Sequence, residues 1–144
     1  MLTAEERLEQ IEKVLEELED LSETVPIVVE GLRDVNALKR LGITKNVLPL
    51  NQGKTIFSFC EGISKRARKA IVLTDWDRRG GQLARMLRDA LEANGVRVND
   101  SVRMQLVILS KKEIKDVESL PTFIGRLRDT PRGIVDIRVR GKRI

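Results

Sequence analysis

The sequence predicts an α/β domain: a mainly parallel sheet of about four core strands, flanked by helices on both faces. Three observations carry that reading. Short apolar runs at residues 25–29, 47–50 and 70–73 have the β-branched, aliphatic make-up of buried strands. Each is followed by a segment whose apolar residues repeat every three or four positions, so strand and helix alternate along the chain. Two of the runs end in acids followed by glycine, Glu30-Gly31 and Asp75-Trp76-Asp77-Arg78-Arg79-Gly80, which puts negative charge where open α/β sheets keep their ligands.

The first element is a helix over residues 3–23. Thr3 and Glu6 have the spacing of a capping box, and Leu8, Ile11, Val14, Leu15, Leu18 and Leu21 form an apolar stripe. Its other face is acidic. Residues 1–24 hold nine acids and two bases, so residues 25–144 carry a net +12 although the whole chain is only +5. A body of that charge suits a phosphate-rich partner, and it also suits a merely solvated surface. The acidic helix caps the core, masks the basic body or pairs with another subunit.

After the strand ending at Glu30, Leu32, Val35, Leu38 and Leu41 predict a helix that stops at Gly42. Residues 46–50 form the next strand, with Pro49 near its end. Gly53-Lys54-Thr55 is reminiscent of a phosphate-binding Walker loop, but Leu48 stands five positions ahead, where that motif needs glycine. Lys54 remains a candidate phosphate contact beside a helix predicted over residues 55–68. The strand at 70–73 then delivers Asp75 and Asp77, and Gly80-Gly81 opens a helix bearing Leu83, Met86, Leu87, Ala90 and Leu91. Residues 96–98 and 104–109 read as further strands. Lys115-Asp116 precedes another helical segment, with Asp116 placed as its N-cap. Val135, Ile137 and Val139, alternating with Asp136, Arg138 and Arg140, predict a C-terminal edge strand. The expected division is an N-terminal helix (1–24), a core domain (25–125) and a basic extension (126–144).

Composition narrows the chemistry. At 144 residues the chain is most simply built on one core. No run of 18 apolar residues is present and no secretory leader is visible, which predicts a cytoplasmic protein with no membrane partner. The single cysteine, Cys60, sits among Ile56, Phe59 and Ile63 as a core thiol. With no histidine in the sequence, Ser-His-Asp, Cys-His and imidazole-ligand chemistry are excluded. Carboxylates, lysines and arginines are left. In an extended chain Asp75 and Asp77 fall on one side, and two close carboxylates call for a cation or a proton between them. A hard divalent ion, Mg²⁺ or Mn²⁺, fits such a set; Asp77 as an ordinary helix N-cap is the plainer alternative.

Val29-Glu30-Gly31 followed some 45 positions later by Asp75-x-Asp77-x-x-Gly80 resembles the TOPRIM domain, over roughly residues 25 to 120. That module is shared by topoisomerases, bacterial-type primases, OLD-family nucleases and a ribonuclease that matures 5S ribosomal RNA; small stand-alone archaeal members are the nearest likeness. The resemblance implies a Rossmann-like fold, with Asp75 and Asp77 as metal ligands and Glu30 as a ligand or general acid/base. It makes Asp116 a further candidate, although Val117 stands where primases have proline. Arg78, Arg79, Lys54, Gly31 and Gly80 become candidate phosphate contacts. The chain has no tyrosine, so the phosphotyrosine link of topoisomerases is excluded. The expectation is Mg²⁺-dependent phosphodiester chemistry on RNA or DNA, most simply a nuclease. A non-catalytic metal- and nucleic-acid-binding module of a larger processing or primase-like assembly is the alternative. Oligomeric state stays open.

Overall fold

The computed structural model describes residues 2–50, 53–110 and 113–131. Four parallel strands, β1 (Ile27–Val29), β2 (Val47–Pro49), β3 (Lys69–Val72) and β4 (Arg97–Asn99), lie in the order β2-β1-β3-β4. The predicted α/β class and parallel sheet are borne out. From β1 the chain crosses outward to β2 and later returns to β1's other side as β3. The strand order therefore switches direction between β1 and β3, the point where such sheets open a crevice beyond their carboxyl ends.

Alternation along the strands builds two cores. Ile27, Val29, Ile71 and Leu73 face one side and pack with α1 (Ala4–Ser22), α2 (Leu32–Arg40), α5 (Ser101–Ser110) and α6 (Leu120–Asp129) through Leu18, Leu38, Leu106 and Phe123. Val28, Ala70 and Val72 face the other side, against α3 (Ile56–Ser64) and α4 (Arg78–Ala93) through Phe59, Cys60, Leu87 and Leu91. Each such fully buried aliphatic side chain contributes roughly 1.5–3 kcal/mol. Burial also pushes the Cys60 thiol above its usual pKa.

The capping box of α1 forms as the spacing predicts: Thr3 N–H donates to Glu6 Oε1 at 2.9 Å, and Glu6 N–H to Thr3 Oγ1 at 3.1 Å. The buried stripe carries one unexpected member. Arg7 is fully buried, donating to the Leu109 carbonyl (2.6 and 3.1 Å) and to Glu113 Oε2 (3.0 Å) while stacking over Phe123. In α2 the chain turns out at Gly42, whose φ of +87° suits glycine. The predicted stripe there is only partly right: Leu38 is buried, but Leu32 is 65% exposed and Asp34 lies inside. Helix α3 ends at Ser64, short of the expected residue 68.

The strand expected at Met104–Leu109 is a helix. Asn99 Oδ1 accepts the Ser101 N–H at 2.9 Å, turning the chain from β4 straight into α5. Val102, Leu106 and Leu109 are buried while Met104 and Ile108 are exposed, a spacing of three and four where a strand needs two. The apolar run hid that period, because a run apolar on every side has no visible phase. The sheet keeps four strands because β4 takes the edge. Helix α6 runs through the boundary expected after residue 125. The predicted edge strand around residues 135–140 lies outside the described residues.

Candidate functional site

The carboxyl ends of β1 and β3 each run into an acid. The Asp75 N–H donates to Glu30 Oε2 at 2.9 Å, joining the two strand ends across the switch point. Asp75 Oδ1 in turn accepts the Val117 N–H at 3.1 Å, so the carboxylate is aimed by a loop from the far side of the chain. That loop is fixed to the same strand end twice more. The Trp76 N–H donates to the Lys115 carbonyl and Trp76 Nε1–H to the Ile114 carbonyl, both at 2.8 Å. Beneath, the buried Arg103 donates to the carbonyls of Thr74 (3.0 Å) and Asp75 (2.8 Å). Backbone that has left the sheet is thereby held on three sides.

Gly80 completes the frame. A Cβ there would stand 1.9 Å from the Asp75 carbonyl oxygen, so only glycine lets the first turn of α4 come this close. Its N–H is already donated to Asp77 Oδ1 at 2.7 Å, and its carbonyl accepts from Thr74 Oγ1 at 2.8 Å.

Glu30 and Asp75 line an open cleft of about 550 Å³, together with Asp34 and Glu118. Burial, followed by the like charges of Glu30, Asp34 and Asp116, pushes the Asp75 carboxyl up to about 7 against the lowering pull of the Val117 N–H. Asp34 is raised too, first by burial and then by Glu30, Glu118 and Asp116, while the Gly31 N–H it accepts at 3.1 Å works the other way. Lys54, Arg33 and Arg79 line the same cleft, so cations border the acids.

The sequence-predicted residues thus separate. Glu30 and Asp75 meet. Asp77 is not among the residues that line the cleft: the chain bends at Trp76 and Asp77, and Asp77 Oδ1 caps α4. Asp116 accepts the Ser119 N–H at 2.8 Å at the head of α6, reaching the cleft through its field. Arg79 and Lys54 border the cleft, whereas Arg78 is an exposed residue of the first turn of α4. Gly31 is the N-cap of α2. Sequence reasoning passed over Asp34, Glu118 and Arg103. A Gly-x-x-Asp spacing at a helix start does flag Asp34 as a cap residue; nothing local flags the other two.

The donor set suits a hard divalent ion, although among the described residues no three carboxylates stand close enough to enclose one. Glu30 and Asp75 each commit one oxygen to a backbone N–H, and the crowd of like charge around Asp75 is relieved by a cation. A sparse carboxylate set completed by water or phosphate is the usual manner of Mg²⁺.

A family model described as Toprim domain matches residues 25–100. A UPF0292 protein of Methanosarcina barkeri is 45% identical over 123 residues, 85% of this chain and 85% of that one. A UPF0292 protein of Methanocaldococcus jannaschii is 34% identical over 122 residues, 85% of this chain and 95% of that one. Among solved structures, a protein from Aquifex aeolicus superposes with a TM-score of 0.65 at 29% identity, covering 74% of this chain and 94% of that one.

Proposed function

Because this chain belongs to the Toprim domain family, we propose that it is a Mg²⁺-dependent nuclease acting on RNA or DNA phosphodiesters. Toprim domains bind Mg²⁺ and work in nucleic-acid processing; cleavage by this chain is our own step. The observation that carries it is the Glu30–Asp75 pair in a cleft bordered by Lys54, Arg33 and Arg79.

Glu30 and Asp75 would hold the ion, with Asp34 and Glu118 adding charge in the same cleft. Bound there, it supplies Lewis acidity at a phosphoryl oxygen and lowers the pKa of a coordinated water. The remaining work falls to the chain. Lys54 and Arg79 bind and orient the phosphodiester and neutralise its charge. Arg103 and the Val117 N–H keep Asp75 aimed, so little reorganisation is needed when substrate arrives. Glu30 has one oxygen on the Asp75 N–H, so its other oxygen serves either the ion or, in place of that, a proton accepted and returned. With neither tyrosine nor histidine in the sequence, the chain offers no side chain for a phosphotyrosine or phosphohistidine intermediate, which favours direct attack by water.

One observation favours a second reading, a non-catalytic metal- and nucleic-acid-binding module: among the described residues no three carboxylates close around a single ion. Purified protein incubated with end-labelled single- and double-stranded RNA and DNA, with Mg²⁺ or Mn²⁺, separates the two. The nuclease reading expects metal-dependent products that vanish with Asp75→Asn. Binding without products in any metal supports the module. Metal titrations that look the same for wild type and Asp75→Asn overturn the metal site in both.

A further inference from the structure

Leu32 is the residue the fold leaves unexplained. Its spacing with Leu38 predicts a core position, yet it stands 65% exposed at the first turn of α2. It is not alone there. Leu50, Ile56 and Leu83, each partly buried, line the same cleft as Glu30 and Asp75, so an apolar wall faces into a site otherwise made of charges. An exposed leucine on such a wall gains nothing from folding. It gains about the transfer energy of an aliphatic side chain when something apolar covers it.

Resting on the phosphodiester reading above, we propose that the cleft takes single-stranded nucleic acid, with one unpaired base lying against the wall formed by Leu32, Leu50, Ile56 and Leu83. The side-by-side placement of cations and aliphatics selects this occupant. Lys54, Arg33 and Arg79 share the cleft with the wall and with Glu30, Asp34, Asp75 and Glu118, whose charge a bound divalent ion would offset, and a chain of phosphates carrying apolar base faces then matches cations and aliphatics together. A duplex does not, because its base faces are stacked inside and it presents only backbone and groove edges. A volume of about 550 Å³ lies in the range of cavities that hold a small ligand, and suits one splayed nucleotide better than a helix. Aliphatic side chains read no sequence, so the preference is for unpaired structure and not for a particular base.

The test uses the full chain, an oligonucleotide of about eight residues with 2-aminopurine at one end, and the same strand annealed to its complement. Ca²⁺ replaces Mg²⁺ so that no bond is cut. Wild type is expected to bind the single strand more tightly than the duplex, with a change in 2-aminopurine fluorescence. Leu32→Ser should weaken single-strand binding about tenfold, the worth of one covered aliphatic group, and leave duplex binding unchanged. Leu32→Phe should bind at least as tightly as wild type. Single-strand affinity that is unaltered in Leu32→Ser, or a duplex that binds as tightly as the single strand, overturns this inference while the phosphodiester reading stands. Failure of wild type to bind either form overturns both.

Discussion

Glu30 and Asp75 are 45 residues apart and share a hydrogen bond of 2.9 Å, from the backbone N–H of one to the carboxylate of the other. The bond sets the ends of β1 and β3 in register at the switch point. It also commits one Glu30 oxygen, so the two acids come together without their charges meeting head-on. Asp75, the more enclosed, bears the cost as a carboxyl pushed up to about 7, by burial first.

That shift predicts a pH dependence. Asp75 ionises near 3.8 in the unfolded chain and near 7 in the folded one, so the unfolded state releases its proton first and stability falls as pH rises between them. Above that window no further loss occurs. Asp75→Asn, which keeps an oxygen for the Val117 N–H, should match wild type near pH 4 and be more stable at pH 8 by ~1–2 kcal/mol in EDTA, discounted because the carboxyl still touches solvent. Mg²⁺ should stabilise wild type increasingly from pH 6 to 8 and leave Asp75→Asn unchanged. Thermal melts across pH, with and without Mg²⁺, read all three expectations.

Gly80 and Gly81 should respond oppositely to alanine. At Gly80 the new methyl meets the Asp75 carbonyl at 1.9 Å, and backbone must move; a loss of about 3 kcal/mol is expected. At Gly81 the nearest atom, Arg103 Nη2, is 3.8 Å away, an ordinary contact. Gly81→Ala should therefore gain up to about 1 kcal/mol of helix propensity. Urea unfolding of the two variants gives both signs in one experiment.

Arg103→Met removes the donor from the Thr74 and Asp75 carbonyls. The expected loss is about 2–4 kcal/mol in urea unfolding. Calorimetry on the variant that remains folded should show Mg²⁺ binding weakened as well, with Arg103→Lys intermediate. Equal Mg²⁺ affinity in all three would show that the strand end holds its shape without this side chain.

For the N-terminal helix, the buried Arg7, Ile11, Val14 and Leu18 predict that removing residues 1–22 yields aggregated protein. Changing Glu9, Glu12, Glu16 and Glu19 to glutamine keeps that face, and should fold. If the acids also mask the basic body, this variant binds nucleic acid more tightly at low salt, and the gain disappears near 1 M, where the Debye length is about 3 Å. Filter binding across salt decides it; no gain at low salt leaves the helix as a cap alone.

Much of the frame was legible because it is written locally. Strands that end in acids, the capping box at Thr3 and Glu6 and the stop at Gly42 depend on neighbours in sequence. The misreading of α5 came from a run whose period is hidden until one knows which side is covered. For Asp77 the plainer expectation, a helix N-cap, is the one its Oδ1 fills, because the chain bends at Trp76 and Asp77 and the i, i+2 pairing of an unbroken strand is interrupted there. Arg7, Arg103 and Val117 act through partners 102, 28 and 42 residues away. No window of sequence holds both halves of such a contact.

Those long spans also order events during synthesis. Arg7 leaves the ribosome 102 residues ahead of Leu109 and finds its acceptors only when Leu109 and Glu113 have followed. Asp75 is not braced until Val117 has emerged. A nascent chain thus carries its acids unassembled until then, beside the messenger and ribosomal RNA that are nearest to it. The cleft takes its final shape only after Val117 has been made.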